Sequence, residues 1–135
     1  MQIQEALDFV AENHQAVLVT YRSNGALQSS PVTVGVGQDK VVISSRETAY
    51  KVRNLRRDPR ATLCVFTDNF YGKWLQIDGT VDLLSLPEAM EPLVEYYRRI
   101  SGEHPDWDEY REVMQKEKRL LVRVTPERVG PTKAG

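Results

Sequence analysis

Apolar positions recur along the chain with two periods, and those periods divide it into elements. Ile3, Ala6, Leu7 and Val10 share one face at helical spacing, so Gln2–Asn13 is predicted to be an amphipathic helix. Ala16–Tyr21 (AVLVTY) reads as a strand. Ser23-Asn24-Gly25 follows it, and Asn-Gly tolerates the positive φ of a tight hairpin. The return strand is predicted over Leu27–Val36, where Val32, Val34 and Val36 alternate with Pro31, Thr33 and Gly35. Its first half, Gln28-Ser29-Ser30-Pro31, is polar, and a proline belongs at a strand edge or bulge. Lys40–Ser45 (KVVISS) is the next strand. Ala49, Val52 and Leu55 stripe a short helix that runs to about Arg57, with Thr48 its candidate cap and Pro59 its stop.

Ala61–Thr67 (ATLCVFT) is apolar throughout and is expected to be a strand buried on both faces or nearly so. Lys73–Leu84 alternates, with Leu75, Ile77, Val81 and Leu83 on one face and Trp74, Gln76, Asp78, Thr80 and Asp82 on the other. It reads as a long half-buried antiparallel strand with a bend or bulge at Gly79. Pro87 is predicted to open a helical stretch, with a kink or restart at Pro92 and an end at Gly102. Asp106 and Glu109 resemble a capping box, and Trp107, Tyr110, Val113 and Met114 form the buried side of the helix that follows. Leu120–Thr125 is the last strand, and Pro126–Gly135 is expected to be a turn and a short tail. Six strands joined mostly by hairpins, with peripheral helices, predict one α+β domain over residues 1–135. Its antiparallel sheet would close into a small barrel to remove its edges.

Charge changes this picture at one place. The chain has 18 Lys and Arg against 19 Asp and Glu, a net charge of −1. Yet Arg46–Arg60 (RETAYKVRNLRRDPR) holds Arg46, Lys51, Arg53, Arg56, Arg57 and Arg60 against only Glu47 and Asp58. A helix that begins just after a strand presents free N–H groups and a positive dipole end. With Ser44, Ser45, Thr48 and Lys51 beside it, that end is a candidate phosphate site. A solvated basic helix packed by its apolar stripe is an equally good reading of the same residues. Gln28 and Ser30 are either hydrogen-bonding groups for a planar ligand or a polar sheet rim.

The near-zero net charge argues against a nucleic-acid binder, and no apolar run approaches the roughly 20 residues of a membrane helix. A cytoplasmic location is expected. The lone Cys64 rules out an internal disulfide and reads as a buried, inert thiol. His14 is expected to be a helix cap or a surface residue. His104 lacks ligand spacing, so no metal site is predicted. Glu103, Asp106, Asp108, Glu109 and Glu112 form an acidic region that either pairs with the basic helix or is simply solvated. No residue stands out as a general acid.

Ser44–Ala61 (SSRETAYKVRNLRRDPRA) resembles the cofactor-phosphate segment of the pyridoxamine 5′-phosphate oxidase-like split β-barrel family. TYRSNGALQSSPV (Thr20–Val32) is similar to that family's hairpin, and WLQIDGTV (Trp74–Val81) to its strand ending in Gly-Thr. YYRRISGEHPDWDEYREVM and RLLVRVTPERVG resemble the actinobacterial branch that uses the deazaflavin coenzyme F420 in place of FMN. The resemblance implies a six-stranded split barrel that forms a homodimer, with cofactor sites at the dimer interface. It further implies an F420-dependent reductase that passes a hydride to an unsaturated organic acceptor. An FMN-binding oxidase-like protein and a non-catalytic carrier of haem or another tetrapyrrole are the alternatives.

Carried over by residue, Lys51 would bind the cofactor phosphate, with Ser44 and Ser45 beside it. Gln28 and Ser30 would lie near the ring, and Trp74, or Phe70 and Tyr71, would come from the partner chain. Many relatives have an arginine where this chain has Ala49, so Arg46, Arg53 or Arg56 would have to supply the second charge. The remaining arginines would suit the acidic oligoglutamyl tail of F420.

Overall fold

The computed structural model describes residues 1–131. Its centre is one antiparallel sheet of seven strands, in the order β2-β1-β5-β6-β7-β4-β3. The strands are β1 (Gln15–Tyr21), β2 (Leu27–Thr33), β3 (Gly35–Gly37), β4 (Lys40–Arg46), β5 (Arg60–Phe66), β6 (Trp74–Leu84) and β7 (Arg119–Gly130). Four helices accompany them: α1 (Ile3–Glu12), α2 (Tyr50–Arg57), α3 (Met90–Ser101) and α4 (Trp107–Lys116). The fold is α+β, with a curled sheet of the split-barrel kind.

The extra strand comes from the predicted Leu27–Val36 segment. It breaks at Val34, and its two parts form opposite edges of the sheet, β2 on β1 and β3 on β4. One stretch of chain therefore joins the two edges and curls the sheet. His14 pins the crossover. The Val34 N–H donates to the His14 carbonyl (2.8 Å), and His14 Nδ1 lies 2.8 Å from the Val34 carbonyl. A carbonyl only accepts, so that ring nitrogen carries the proton. Tyr96 adds a third tie by donating its hydroxyl to the Thr33 carbonyl (2.7 Å).

The concave side of the curl is filled by alternate strand residues, among them Leu18, Ile43, Leu63, Leu75, Ile77 and Val122, and by the apolar stripes of α1 and α2. A second core lies on the convex side of β4 and β7, where α3 and α4 cover Val42 and Leu121 with Leu93, Val94, Tyr110 and Met114. The convex side of β1, β5 and β6 has no such helical cover among the described residues. Val17, Val19, Tyr21, Cys64, Phe66 and Trp74 stand there half-buried, and Phe70 and Tyr71 in the adjoining loop are 68% and 93% exposed. Cys64 and its strand are thus buried on one side only, contrary to the expectation from their apolar run. Burial still pushes the Cys64 thiol up from its ordinary pKa.

Three further boundaries differ from the sequence reading. The last strand continues through Pro126 to Gly130 because β6 is long enough to pair with it, Ile77 opposite Val129 and Asp78 opposite Arg128. The expected tail beyond Pro131 lies outside the described residues. Helix α3 begins at Met90, which puts Pro92 in the first turn, where its missing N–H costs no helical bond and no kink is needed. The capping position of α2 is Ala49, with no side-chain cap, and Thr48 lies one residue outside it, exposed. At Gly79 the expected bulge is present as a register shift against β7, and a Cβ there would lie 2.3 Å from the Thr125 carbonyl oxygen, so only glycine fits.

Candidate functional site: a cleft beside Lys51

Strand β4 alternates, and the alternation separates its two serines. Ser44 faces outward with Val42, whereas Ser45 turns inward with Val41 and Ile43 and is 3% exposed. The Ser45 side chain therefore lies off the phosphate position expected for it. Ser44 lines an open cleft of about 620 Å³, together with Pro31–Thr33 at the end of β2, Lys51 on α2, Arg119 at the start of β7, and Tyr96, Tyr97 and Tyr110 from the helices. The strand, the first turn of α2 and the α3–α4 pair thus converge on one place.

The electrostatics of this cleft are unbalanced. Lys51 has no carboxylate within ion-pair distance among the described residues. Burial, and then the Arg119 guanidinium beside it, hold its ammonium below the ordinary lysine pKa. Arg119 donates to Glu117 (2.9 Å), and Glu117 also meets Arg46 at 3.8 Å. One carboxylate therefore serves two arginines while Lys51 goes without. A bound oxyanion between Lys51 and Arg119 would relieve that excess. The aromatic wall supplies flat apolar surface next to it. The Tyr110 hydroxyl donates to the Leu93 carbonyl (2.9 Å), and burial pushes its pKa up to about 12, so it is a fixed neutral group.

The expected site residues divide sharply. Lys51 and Ser44 come together. Arg46 does not line the cleft but pairs with Glu117, which does. Arg56 is taken up by Glu47, whose other oxygen accepts from Ser85 (2.6 Å). Gln28 lies at a different cleft, where its Oε1 accepts from Asn54 (3.1 Å). Ser30 faces inward between Gln28 and Val32, and its Oγ is buried with no hydrogen-bond partner. Trp74 lines a third cleft with Gln76, Asp78 and Arg128. No acid of the Glu103–Glu112 region pairs with α2 among the described residues; Glu103 bonds Arg98 instead (3.0 Å).

Arg119 is the residue the sequence reading missed. The second charge was sought at Arg46, Arg53 or Arg56, near Lys51 in sequence. It comes from β7, whose register sets Arg119 opposite Arg46 and Leu121 opposite Ser44. The one sequence signal is that Arg119 and Arg123 stand on one face of an otherwise apolar strand, on either side of Leu121.

Neither histidine reaches this cleft. His14 holds the β2–β3 crossover. His104 Nδ1 accepts from the Asp106 N–H (2.9 Å), and its ring packs on Tyr97, Trp107 and Tyr110. No group of three or more potential metal ligands occurs among the described residues. No helix of the described residues is long and apolar enough to cross a membrane.

Solved structures share this fold. The chain is similar to a conserved hypothetical protein from Mycobacterium tuberculosis, with 25% identity and a TM-score of 0.78 over 96% of this chain and 82% of that one. It is similar in fold to an F420 reductase, at 20% identity and TM-score 0.71 over 91% and 94% of the two chains. It is also similar in fold to HutZ, a haem storage protein from Vibrio cholerae, at 16% identity and TM-score 0.69 over 96% and 94%. The family model described as pyridoxamine 5′-phosphate oxidase matches residues 3–133. With nearly its whole length matched by that model and its curled sheet shared with these structures, the chain belongs to the pyridoxamine 5′-phosphate oxidase family.

Proposed function

We propose that this protein is an oxidoreductase that binds reduced coenzyme F420 with its phosphate between Lys51 and Arg119 and reduces an unsaturated organic acceptor. The observation that carries the reading is the pair of cations in one cleft, with Lys51 partly buried, lacking a carboxylate and held below its usual pKa. A phosphate fits that excess charge, and Tyr96 and Tyr97 with Pro31–Thr33 offer the flat walls a fused-ring cofactor needs.

The bound cofactor would supply the hydride; the protein binds, orients and keeps water out. Ser44 would hydrogen-bond the phosphate, and Arg119, oriented by Glu117, would present its remaining guanidinium donors to it. In this reading the active unit is a homodimer. Its second copy covers the bare convex face and brings Trp74, or Phe70 and Tyr71, to the site. A haem-carrying role is less well supported, because neither histidine is placed to act as an axial ligand in this cleft.

The test is titration of the purified protein with F420 and, separately, with FMN, followed by intrinsic tryptophan fluorescence. F420 is expected to bind the more tightly. Lys51→Ala and Arg119→Ala are each expected to weaken it by about tenfold or more, the loss of one charge-assisted contact. Preference for FMN would transfer the protein to the flavin branch. Unchanged affinity in both variants would remove the phosphate assignment. Reduced F420 offered with a panel of activated alkenes, enones and nitro compounds then reads turnover.

A further inference from the structure

A different face of α2 from that of Lys51 borders a second cleft, of about 410 Å³, between that helix and the β1–β2 hairpin. Arg22 and Ser23 of the hairpin line it, with Gln28 on β2 and Tyr50, Arg53, Asn54 and Arg57 on α2. No carboxylate is among its lining groups, and none lies within ion-pair distance of Arg22, Arg53 or Arg57 among the described residues. The contrast with the rest of the basic segment is sharp: Arg46, Arg56 and Arg60 all have carboxylate partners. Asp58, the nearest acid in sequence, is committed to Arg60 through two side-chain bonds of 3.0 and 2.7 Å.

The cleft is also built. Asn54, 6% exposed, donates to Thr20 Oγ1 and to Gln28 Oε1, both at 3.1 Å. Its Oδ1 accepts from Arg57 Nη2 (3.0 Å), which donates in turn to the Tyr21 carbonyl (3.0 Å). Those acceptors are neutral. They fix the Arg57 guanidinium without neutralising it, and they leave its other N–H groups free. Because the Gln28 oxygen is already used, the group Gln28 has left to offer is its amide NH₂. Arg53 lies over the exposed Tyr50 ring, 5.5 Å from its centroid. The result is a concave, donor-rich wall with three guanidinium groups that have no carboxylate ion-pair partner among the described residues, Arg57 alone feeling the Asp58 charge at longer range, and guanidinium forks match carboxylate and phosphate geometry.

We infer that this cleft is a second oxyanion site, distinct from the Lys51 cleft, which takes a small ligand bearing two or more carboxylate or phosphate groups. The inference does not depend on which cofactor occupies the Lys51 cleft. The chemistry has two sources: the anionic tail of a cofactor anchored at Lys51, or a free polycarboxylate or polyphosphate. A nucleic-acid backbone fits less well, because the chain's net charge is −1 and the arginines face a small concavity.

The experiment is calorimetric titration of the full chain with tripolyphosphate and with tricarballylate, in the wild type, in Arg22→Ala/Arg53→Ala and in Lys51→Ala. The Arg22 and Arg53 side chains are exposed and make no hydrogen bond or ion pair among the described residues, Arg53 touching only the exposed Tyr50 ring, so the double variant is expected to fold as the wild type does, with the same far-ultraviolet dichroism. The wild type is expected to show two oxyanion sites. The double variant loses one of them, with affinity down about tenfold or more per arginine, and Lys51→Ala loses the other.

A single site abolished by Lys51→Ala and untouched by the double variant would overturn the inference, and so would no binding at all. Tighter binding of a DNA duplex that is lost in the same double variant would overturn it in favour of a nucleic-acid surface. Competition then identifies the source. If F420 displaces the anion from the arginine site and FMN does not, the ligand is the cofactor's carboxylate tail. If neither does, it is a separate molecule.

Discussion

The two halves of the sheet share one concave core and differ on their convex side. Strands β4 and β7 carry three consecutive buried residues each, Val41–Ile43 and Leu120–Val122, because α3 and α4 seal the outside. After an exposed first residue, strands β1 and β5 alternate between buried and half-buried, and among the described residues no helix covers the second set; only Phe70 packs edge-on against Phe66 and Arg60 lies over Tyr21. A continuous apolar run means two covered faces only where a cover exists. The run at Ala61–Phe66 is just as apolar, yet its Cys64 and Phe66 look outward. An apolar face without a cover in its own chain is what the homodimer reading requires.

That contrast can be broken from either side. The largest effect is expected in the covered half. Leu93 is fully buried between α3 and the sheet, so Leu93→Ala should cost about 2–5 kcal/mol by thermal or denaturant unfolding. A loss below about 1 kcal/mol would mean that α3 is not essential cover. Smaller in that same half, Tyr110→Phe removes the hydroxyl that bonds the Leu93 carbonyl, which keeps its place in the α3 ladder, and should cost about 1 kcal/mol.

The bare half should respond differently. Val19→Asp puts a charge at the middle of the convex face, opposite Thr62 and Ser29, where a lone chain exposes it to water. If a second copy covers that face, sedimentation should show dissociation to a folded monomer, while unfolding of the monomer moves by no more than about 1 kcal/mol. A dimer that persists in the variant would place its interface elsewhere.

Lys51 marks the edge where the covered half meets α2, and its effect on stability should reverse with ligand. Its pKa is depressed, so the folded state disfavours the protonated form. That cost is present at neutral pH and is relieved as pH rises towards the usual lysine value. Without an anion, Lys51→Ala should leave the melting temperature unchanged or raise it slightly. With F420 or phosphate present, the wild type should be stabilised and the variant should not. A variant that melts lower in the absence of anions would contradict the like-charge pairing with Arg119.

The smallest effect concerns Asp82, which joins β6 to β4 and β7 through Lys40 (3.3 Å) and Arg123. Burial alone would raise its pKa, but Arg123 and Lys40 outweigh that and hold it below the ordinary carboxylate range. The contribution to stability is therefore present above that range and is lost as pH falls through the depressed value. Asp82→Asn should cost under about 1 kcal/mol at neutral pH, and the difference should close in strong acid. A gap that stays constant with pH would show that the bridge contributes nothing.

Local pattern alone settled much of this protein. The Asn-Gly hairpin, the bulge at Gly79, the stripe of α2 and the cap of α4 by Asp106 are short-range chemistry, and each stands where the sequence put it. The concentration of positive charge on one helix was equally plain.

What tertiary structure alone decided is which residues face one another. Periodicity specifies that a strand has two faces and not what covers each, so Cys64 and Ser45 were assigned to surroundings they do not have. Alternation in a single segment also gives no sign that its halves will pair with opposite edges, as β2 and β3 do. Charge pairing lies beyond sequence distance for the same reason. Arg119 shares a cleft with Lys51 because β7 pairs beside β4, and Arg53 and Arg57 line a different cleft, with Gln28, because a helix turns successive side chains about 100° apart. The basic run therefore lines two clefts from different faces of one helix, a division made by geometry and invisible in composition.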